Sequence, residues 1–235
     1  MHARRLGLKL LAAHLLLGGW ALASAQPAAG DWAGHGRYRA ANASLPAPAS
    51  GERRVVFMGD SITEFWSPAL AQAFPGKPYV NRGISAQTTP QMLLRFRQDV
   101  IELQPAAVVI LAGTNDIAGN SGPSSVEMIA GHVRSMTQLA RAHGIRVVLC
   151  AVLPAAAYYW NPAVQPAATI VALNQRLREL AREGGHRWVD YHAALADERG
   201  GLPLKYSEDG VHPNAAGYRV MAPLLEREIE AALKP

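Results

Sequence analysis

Cysteine is almost missing from this chain of 235 residues, because Cys150 is the only one. A single thiol cannot form an internal disulfide bond, so the fold must depend on its hydrophobic core. Cys150 ends the apolar run at residues 147–150, which predicts a buried strand and a structural thiol. A catalytic cysteine would need an activating neighbour, and the sequence offers none.

Metal and cofactor motifs are also missing. The sequence has no His-x-x-x-His or Cys-x-x-Cys spacing, the patterns that commonly mark zinc sites. It has no glycine-rich phosphate loop and no dinucleotide-binding fingerprint. Scattered ligands such as Asp60, Asp116 and Asp190 leave a metal site possible in principle. We nevertheless expect a protein that uses neither a metal nor a cofactor.

A strong charge of one sign is absent once the N-terminal segment is set aside. The chain has 23 basic and 18 acidic residues, a net charge of +5. Residues 1–25 hold three of the basic residues and no acidic ones, so the remainder has 20 minus 18, or +2. The basic residues are scattered, with no run of five or six. This pattern does not indicate a nucleic-acid partner.

The first 25 residues are typical of a secretory signal peptide. Arg4, Arg5 and Lys9 precede a short apolar stretch, and Ala23-Ser24-Ala25 resembles a cleavage site. The apolar run is short for a membrane span, and no stop-transfer pattern follows it. We therefore expect export to the periplasm or the outside of the cell, without a stable membrane anchor.

Two further segments follow the predicted signal peptide. Residues 26–51 are rich in Ala, Pro, Gly and Ser, which predicts a linker or a loosely docked arm. Trp32 and Tyr38 are candidates to fix this arm to the surface. Residues 52–235 are long enough for one domain with a sizeable core.

Short apolar strands alternate with amphipathic helices along the main domain. Near-continuous apolar strands in such an alternation predict a parallel sheet covered by helices on both faces. A Thr89 cap, a capping box of Ser124 with Glu127 and an Asn214 cap mark three helix starts. The strands are predicted at 55–58, 78–81, 107–111, 146–151 and 188–190, and the helices at 89–103, 124–143, 169–183 and 215–233.

Four short motifs supply the groups of an acyl-transfer enzyme. Ser61 can be a nucleophile, His212 its base, and Asp209 the residue that orients the base. The backbone N–H of Gly83 and the side-chain amide of Asn115 can join the Ser61 N–H in an oxyanion hole. Ser61, Gly83 and Asn115 follow predicted strands, and ligands in parallel sheets bind at the carboxyl ends of strands.

Each motif also has a purely structural interpretation. Ser61 could simply cap the next helix, Gly83 and Asn115 could be ordinary turn residues, and the segment around His212 could be a helix entry. His192, close to Asp190 in sequence, is the second candidate for the base.

Aromatic residues are candidates for the substrate pocket. The long segment 152–168 leaves the fourth predicted strand and contains Tyr158, Tyr159 and Trp160, so it could overhang the site. Trp66 could contribute from the opposite side. The alternative is that these aromatic residues pack within the domain itself.

The motifs resemble those of the SGNH subgroup of the GDSL esterase/lipase family. Ser61, Gly83, Asn115 and His212 match its four namesake residues, and Asp209 matches the third member of its triad. The strings GDSIT at 59–63, NRGIS at 81–85 and DGVHP at 209–213 look most like the platelet-activating-factor acetylhydrolase-like branch. The resemblance covers about residues 53–231. It implies a flavodoxin-like three-layer α/β/α sandwich and hydrolysis of esters or thioesters without a cofactor.

The sequence therefore predicts a serine esterase that acts on short-chain acyl esters, acetyl esters above all, through an acyl-enzyme intermediate. The alternative is a lysophospholipase or acyl-thioesterase that prefers longer chains. A non-catalytic sugar- or lipid-binding protein on the same scaffold is disfavoured, since binding alone does not require all five site residues. Acyl transfer to a sugar instead of water stays open, because both reactions share the acyl-enzyme.

Overall fold

The computed structural model describes residues 30–234, and the predicted signal peptide at residues 1–25 lies outside them. A five-stranded sheet forms the centre of this part of the chain, with strand order β2-β1-β3-β4-β5 and all neighbours parallel. Val55, the first residue of β1, pairs with Tyr79 on one side and Ala107 on the other. The strands are β1 (Val55–Gly59), β2 (Tyr79–Gly83), β3 (Ala107–Leu111), β4 (Arg146–Cys150) and β5 (Arg187–Val189).

Helices cover both faces of the sheet. One core contains side chains of α4, α6 and α7, and the other contains side chains of α3, α8 and α9. None of the helices between residues 30 and 234 is both long and apolar enough to cross a membrane. The helices are α1 (Arg39–Ser44), α2 (Ser61–Glu64), α3 (Ser67–Ala73), α4 (Thr89–Asp99), α5 (Thr114–Ile117), α6 (Val126–Ala142), α7 (Ala167–Gly184), α8 (Tyr191–Leu195) and α9 (Ala215–Ala232), with a 3-10 turn at Ile101–Leu103.

The strands send alternate side chains into the two cores. Val56 and Met58 face the core of α4, α6 and α7, while Val55 and Phe57 face the opposite core. Every residue of β1 and β3 is buried, as expected for strands in the middle of a parallel sheet. The predicted three-layer α/β/α sandwich with a five-stranded parallel sheet is thus confirmed, and Cys150 is buried at the end of β4.

Most predicted element boundaries agree with the structure to within about two residues, but the helix predicted at 89–103 ends at Asp99, before the 3-10 turn. Two helix caps were also wrong. The cap of α4 is Thr88, whose side chain and Gln91 form a capping box, so Thr89 is already helical. The cap of α6 is Ser125, which accepts the Met128 N–H at 3.2 Å. In both places two adjacent hydroxyl residues fit the capping pattern. The first of the pair is the cap in α4, and the second is the cap in α6.

The segment before β1 makes specific contacts with the domain. Tyr38 is buried and donates a hydrogen bond from its hydroxyl to the Gly83 carbonyl, which agrees with its predicted anchoring role. Trp32, by contrast, is half exposed, although its carbonyl accepts from Gln91. The boundary between arm and domain at residues 51 and 52 stays a prediction.

A buried ion pair lies beneath the carboxyl end of β1. Arg95 and Asp99 on α4 are both fully buried, and their charged groups are 3.0 Å apart. Arg95 also donates to the Gly59 carbonyl at 3.1 Å and to the Gln87 side chain at 2.5 Å. Burial of charge is unfavourable unless hydrogen bonds compensate it. Here they link α4 to the end of β1 and to the turn that follows β2.

Candidate active site

Ser61 is the first residue of α2 and follows β1 after a single intervening residue. Asp60 caps this helix, accepting the Ile62 N–H at 3.0 Å, so Ser61 is not the capping residue. Its hydroxyl oxygen lies 2.8 Å from His212 Nε2. The interpretation of Ser61 as a mere helix cap is therefore wrong.

His212 lies on the loop before α9, between Ser61 and Asp209. Its Nδ1 is 2.7 Å from Asp209 Oδ2, and with Nδ1 protonated its Nε2 is free to accept the Ser61 hydroxyl proton. Three predicted residues thus form one chain of hydrogen bonds. His192, the second candidate for the base, lies on α8 and does not line the cleft that contains these residues.

The carboxylate of Asp209 is held by its own loop. Its Oδ1 accepts from the backbone N–H groups of Val211 and His212, and from the Ser207 hydroxyl. Partial burial acts to raise the pKa of Asp209, but the hydrogen bonds from His212 and Val211 outweigh it and lower the pKa below its ordinary value. Asp209 is therefore an ionised acceptor that fixes the His212 tautomer.

Asn115 lies at the carboxyl end of β3, in the first turn of α5. Its side-chain nitrogen donates to the Gln87 carbonyl at 3.1 Å and makes only a long contact of 3.4 Å with Asp60. Asn120 donates to its side-chain oxygen at 2.9 Å, which fixes the amide orientation. One N–H of the buried Asn115 amide therefore makes only this long contact with Asp60, and Asn115 lines the cleft that contains Ser61.

Gly83 does not occupy the position predicted for it. Its N–H donates to Asn81 Oδ1 at 2.8 Å, and it does not line the cleft. A Cβ at this position would lie 2.3 Å from the Glu64 N atom, so the glycine allows α2 to pack closely against β2. The requirement for glycine here comes from packing.

Ala86, three residues further on, lines the cleft in place of Gly83. It has a φ of +63°, an uncommon left-handed conformation for a residue with a Cβ. Its carbonyl accepts from Asn120 at 3.3 Å. Among the described residues its N–H has no acceptor, so this N–H is available to an oxyanion.

An open cleft of about 340 Å³ surrounds the Ser61 hydroxyl. The predicted pocket residues Tyr159 and Trp160 belong to its wall, and their rings lie 6.3 and 6.5 Å from the His212 ring. Trp160 donates its indole N–H to Asn120 at 3.0 Å. The cleft is lined by Ser61, Phe65, Ser85, Ala86, Asn115, Asn120, Tyr159, Trp160, Asp209 and His212.

Two predicted pocket residues lie elsewhere. Trp66 is 2% exposed and packs in the core against Phe57, Phe74 and Tyr218. Tyr158 is fully buried, and its ring stacks on the Trp160 ring with the two centroids 4.8 Å apart. The preceding residue, Phe65, lies beside His212 instead, and the centroids of the two rings are 5.2 Å apart.

The sequence analysis missed several wall residues. Phe65 could have been found from its position four residues after Ser61, since that spacing shares one helix face. Ser85 and Ala86 belong to the predicted string at 81–85 or follow it directly. Asn120 carried no signal, because a surface asparagine after a short helix has many ordinary explanations.

Asp60 is an unusual carboxyl group next to the nucleophile. It is 1% exposed, and burial raises its pKa to about 7, with a smaller contribution from the nearby Asp116 carboxylate. Among residues 30–234, Asp60 accepts one backbone hydrogen bond, from Ile62, and it forms no ion pair with a cation. The site therefore contains two carboxyl groups with opposite shifts: the pKa of Asp209 is lowered, and the pKa of Asp60 is raised.

Comparison with known proteins identifies a family. The model of the GDSL-like lipase/acylhydrolase family matches residues 57–220. An acetylxylan esterase from Xylanibacter ruminicola is 27% identical over 222 residues, covering 80% of this chain and 45% of that relative. The chain thus spans about half the length of this curated relative.

Solved structures of similar chains share the fold. A GDSL-like lipase from Bacteroides thetaiotaomicron is 43% identical with a TM-score of 0.82, covering 86% of this chain and 99% of that chain. A structure from Streptococcus pneumonia, described as a candidate platelet activating factor, is 28% identical with a TM-score of 0.70. The match covers 83% of this chain and 90% of that chain. The family resemblance expected from the motifs is confirmed.

Replacing Asp60 with Asn should flatten the dependence of unfolding free energy on pH between about pH 4 and 7. Folding raises the Asp60 pKa from 3.8 to about 7, so in this window the folded protein holds a proton that the unfolded chain releases. Wild-type stability therefore falls as the pH rises, by up to about 4 kcal/mol relative to the variant. Urea unfolding at a series of pH values measures this slope.

The matched control for Asp60→Asn is Asp190→Asn, because Asp190 caps α8 by accepting the Ala193 N–H at 3.0 Å. The control should keep the wild-type slope. Parallel slopes for wild type and Asp60→Asn would contradict the elevated pKa of Asp60.

Proposed function

The chain belongs to the GDSL-like lipase/acylhydrolase family, and we propose that it is a serine esterase that hydrolyses short-chain acyl esters, acetyl esters above all. The observation that carries this proposal is the hydrogen-bonded chain from Ser61 through His212 to Asp209 at the floor of an open cleft. A hydroxyl held 2.8 Å from an oriented imidazole is the arrangement that activates a serine nucleophile.

In the first half of the reaction, His212 Nε2 takes the hydroxyl proton as Ser61 Oγ attacks the ester carbonyl carbon. The carbonyl oxygen becomes an oxyanion, which accepts hydrogen bonds from the N–H groups of Ser61 and Ala86 and from the Asn115 amide. The C–O bond to the alcohol then breaks, and His212 gives its proton to the leaving alkoxide oxygen. Asp209 stabilises the imidazolium that exists between these steps.

In the second half, water replaces the alcohol. His212 takes a proton from the water as its oxygen attacks the acyl carbon on Ser61. The second oxyanion occupies the same three donors, and its collapse breaks the bond to Ser61 Oγ, which regains a proton from His212. The products are a carboxylic acid and the free enzyme.

The composition of the cleft wall supports a hydroxylated substrate such as an acetylated sugar. The wall combines the polar residues Ser85, Asn115 and Asn120 with the aromatic residues Phe65 and Tyr159. Sugars present hydroxyl groups at their edges and apolar C–H faces that pack against aromatic rings. A long alkyl chain gains least where it lies against polar groups, because it buries little apolar surface of the wall there. This wall therefore favours the short-chain reaction over the lysophospholipase or thioesterase alternative.

The acetylxylan esterase relative agrees with this substrate class. Export, predicted from residues 1–25, would bring the enzyme to acetylated polysaccharide outside the cell. Both the substrate class and the export are part of the proposal.

Initial rates on p-nitrophenyl esters from acetate to palmitate test the reaction. Wild type should be fastest on acetate, and Ser61→Ala should lower kcat by on the order of 10⁶-fold, since the nucleophile is removed. Ser135→Ala, which alters a hydroxyl bonded to Gly131 on α6, is the control and should keep full activity. Activity that survives Ser61→Ala, or an optimum at long chains, would contradict the proposal.

The substrate class is tested by Tyr159→Ala, because this ring is 62% exposed at the cleft rim. If it packs against a sugar, the variant should lose roughly 3- to 10-fold in kcat/KM on an acetylated xylooligosaccharide. Turnover of p-nitrophenyl acetate, which has no sugar, should change less than about twofold on the same reasoning.

Trp32→Ala is the matched control for the exposed-aromatic test, since Trp32 is 51% exposed and does not line the cleft. It should leave both rates unchanged. Equal losses on the two substrates in Tyr159→Ala would show that the ring does not contact a sugar.

A further inference from the structure

Glu64 connects the helix that carries Ser61 to the turn that carries Ala86. It is the last residue of α2, three positions after Ser61. Its Oε2 accepts the Ser85 N–H at 2.7 Å and the Ser85 hydroxyl at 2.6 Å. Ser85 directly precedes Ala86, so one carboxylate joins the nucleophile's helix to the residue beside an oxyanion donor.

The turn at Ala86 needs to be held in place. A residue with a Cβ is disfavoured at a φ of +63° and persists in this conformation only where its surroundings fix it. On the far side of Ala86, the Gln87 side chain accepts from Arg95 at 2.5 Å, and its carbonyl accepts from Asn115. Ser85 and Gln87 are therefore the two fixed ends of this turn, and Glu64 holds the first of them.

The segment before β1 supports the same turn from outside. Arg37 donates to Glu64 Oε1 at 2.8 Å, opposite the oxygen that holds Ser85. The Ala33 carbonyl accepts from the Gln87 side chain at 2.7 Å. Gln87 thus contacts residues 33–37 directly, and Ser85 is linked to them through Glu64. This segment lies outside the part matched by the family model.

The hydrogen bonds to Glu64 are charge-assisted. Partial burial acts to raise the pKa of Glu64, but the hydrogen bonds from Ser85 and Arg37 outweigh it and lower the pKa below its ordinary value. An ionised carboxylate therefore accepts the Ser85 N–H at neutral pH. Hydrogen bonds to an ionised acceptor are about twice as strong as neutral ones.

We propose that Glu64, locked by Arg37, is a positioning residue that sets the Ala86 N–H relative to the Ser61 hydroxyl and so determines how well the oxyanion is stabilised. The inference rests on the proposed function, because it assigns a role within that reaction. Glu64 does not line the cleft and acts through Ser85. Its effect should appear in the transition state, where the oxyanion forms, and hardly in substrate binding.

The test compares Glu64→Ala and Glu64→Gln with a matched control, Glu226→Ala. Glu226 is 22% exposed, against 21% for Glu64. It pairs with Lys77 at 2.6 Å and accepts the Tyr79 hydroxyl at 2.9 Å, so it also joins one cation and one hydroxyl. Tyr79 begins β2 and Gly83 ends it, which places Glu226 at the amino end of the strands, away from the cleft.

The measurements are kcat and KM on p-nitrophenyl acetate together with the melting temperature of each variant. Glu64→Ala should lower kcat roughly 10- to 100-fold, as expected for a displaced oxyanion donor, and should leave KM within about threefold of wild type. Glu64→Gln should recover part of this loss, since its amide oxygen can still accept the Ser85 N–H. Glu226→Ala should keep wild-type kcat even if its melting temperature falls.

Arg37→Ala gives a second route if Glu64→Ala does not fold, because Arg37 is exposed and its removal leaves Ser85 bound to Glu64. It should lower kcat less than Glu64→Ala does, again with little change in KM. Wild-type kcat in folded Glu64→Gln and Arg37→Ala would overturn the proposal. So would an equal loss of kcat in Glu226→Ala.

Ser61→Ala, assayed in parallel, separates failure of this inference from failure of the proposed function. If Ser61→Ala is inactive while the Glu64 variants match wild type, only the positioning role is wrong. If Ser61→Ala is as active as wild type, the proposed function itself is wrong, and the positioning role is overturned with it.

Discussion

The hydrogen bond between Ser61 Oγ and His212 Nε2 joins two residues 151 positions apart, and it is the contact on which the proposed chemistry depends. Ser61 is held by the end of β1, and His212 by the loop before α9. A serine hydroxyl is a weak nucleophile without such a base. The packing of α9 against the sheet is therefore needed to keep the two groups within 2.8 Å.

The parallel sheet brings the remaining groups to the same place. Ser61, Ala86 and Asn115 follow β1, β2 and β3, three neighbouring strands whose carboxyl ends lie together. Regular structure alone does not finish the site, since Ala86 has a left-handed conformation that local propensity disfavours. Hydrogen bonds that Glu64 accepts, and that Asn120 and the buried Arg95 donate, hold this irregular turn. The fixed part of the site therefore extends well beyond the residues that contact a substrate.

The sequence predicted the sheet well, and it singled out Ser61, His212 and Asp209, which the structure brings within hydrogen-bonding distance of one another. Both leave strong local patterns: apolar strands with Ser61 and Asn115 shortly after their ends, and Asp209 three residues before His212. The sequence failed where the deciding fact was spatial. Gly83 was a plausible donor in a turn, but only the approach of α2 to β2 shows why that glycine is needed. At the end of α2, the helix turn points Phe65 to the cleft and Trp66 into the core. The two residues are neighbours in sequence, so a shift of one residue along the helix decides which of them faces the cleft.

Covalent trapping with a fluorophosphonate, followed by mass spectrometry of the digested protein, shows directly whether Ser61 is the activated nucleophile. The phosphorus reagent is attacked by an activated serine and loses fluoride, leaving one stable phosphonate ester. The account predicts a single adduct on the peptide that contains Ser61, formed much more slowly in His212→Ala. An adduct on another residue such as Ser85, or labelling at the same rate without His212, would contradict the assignment of Ser61 as the activated nucleophile.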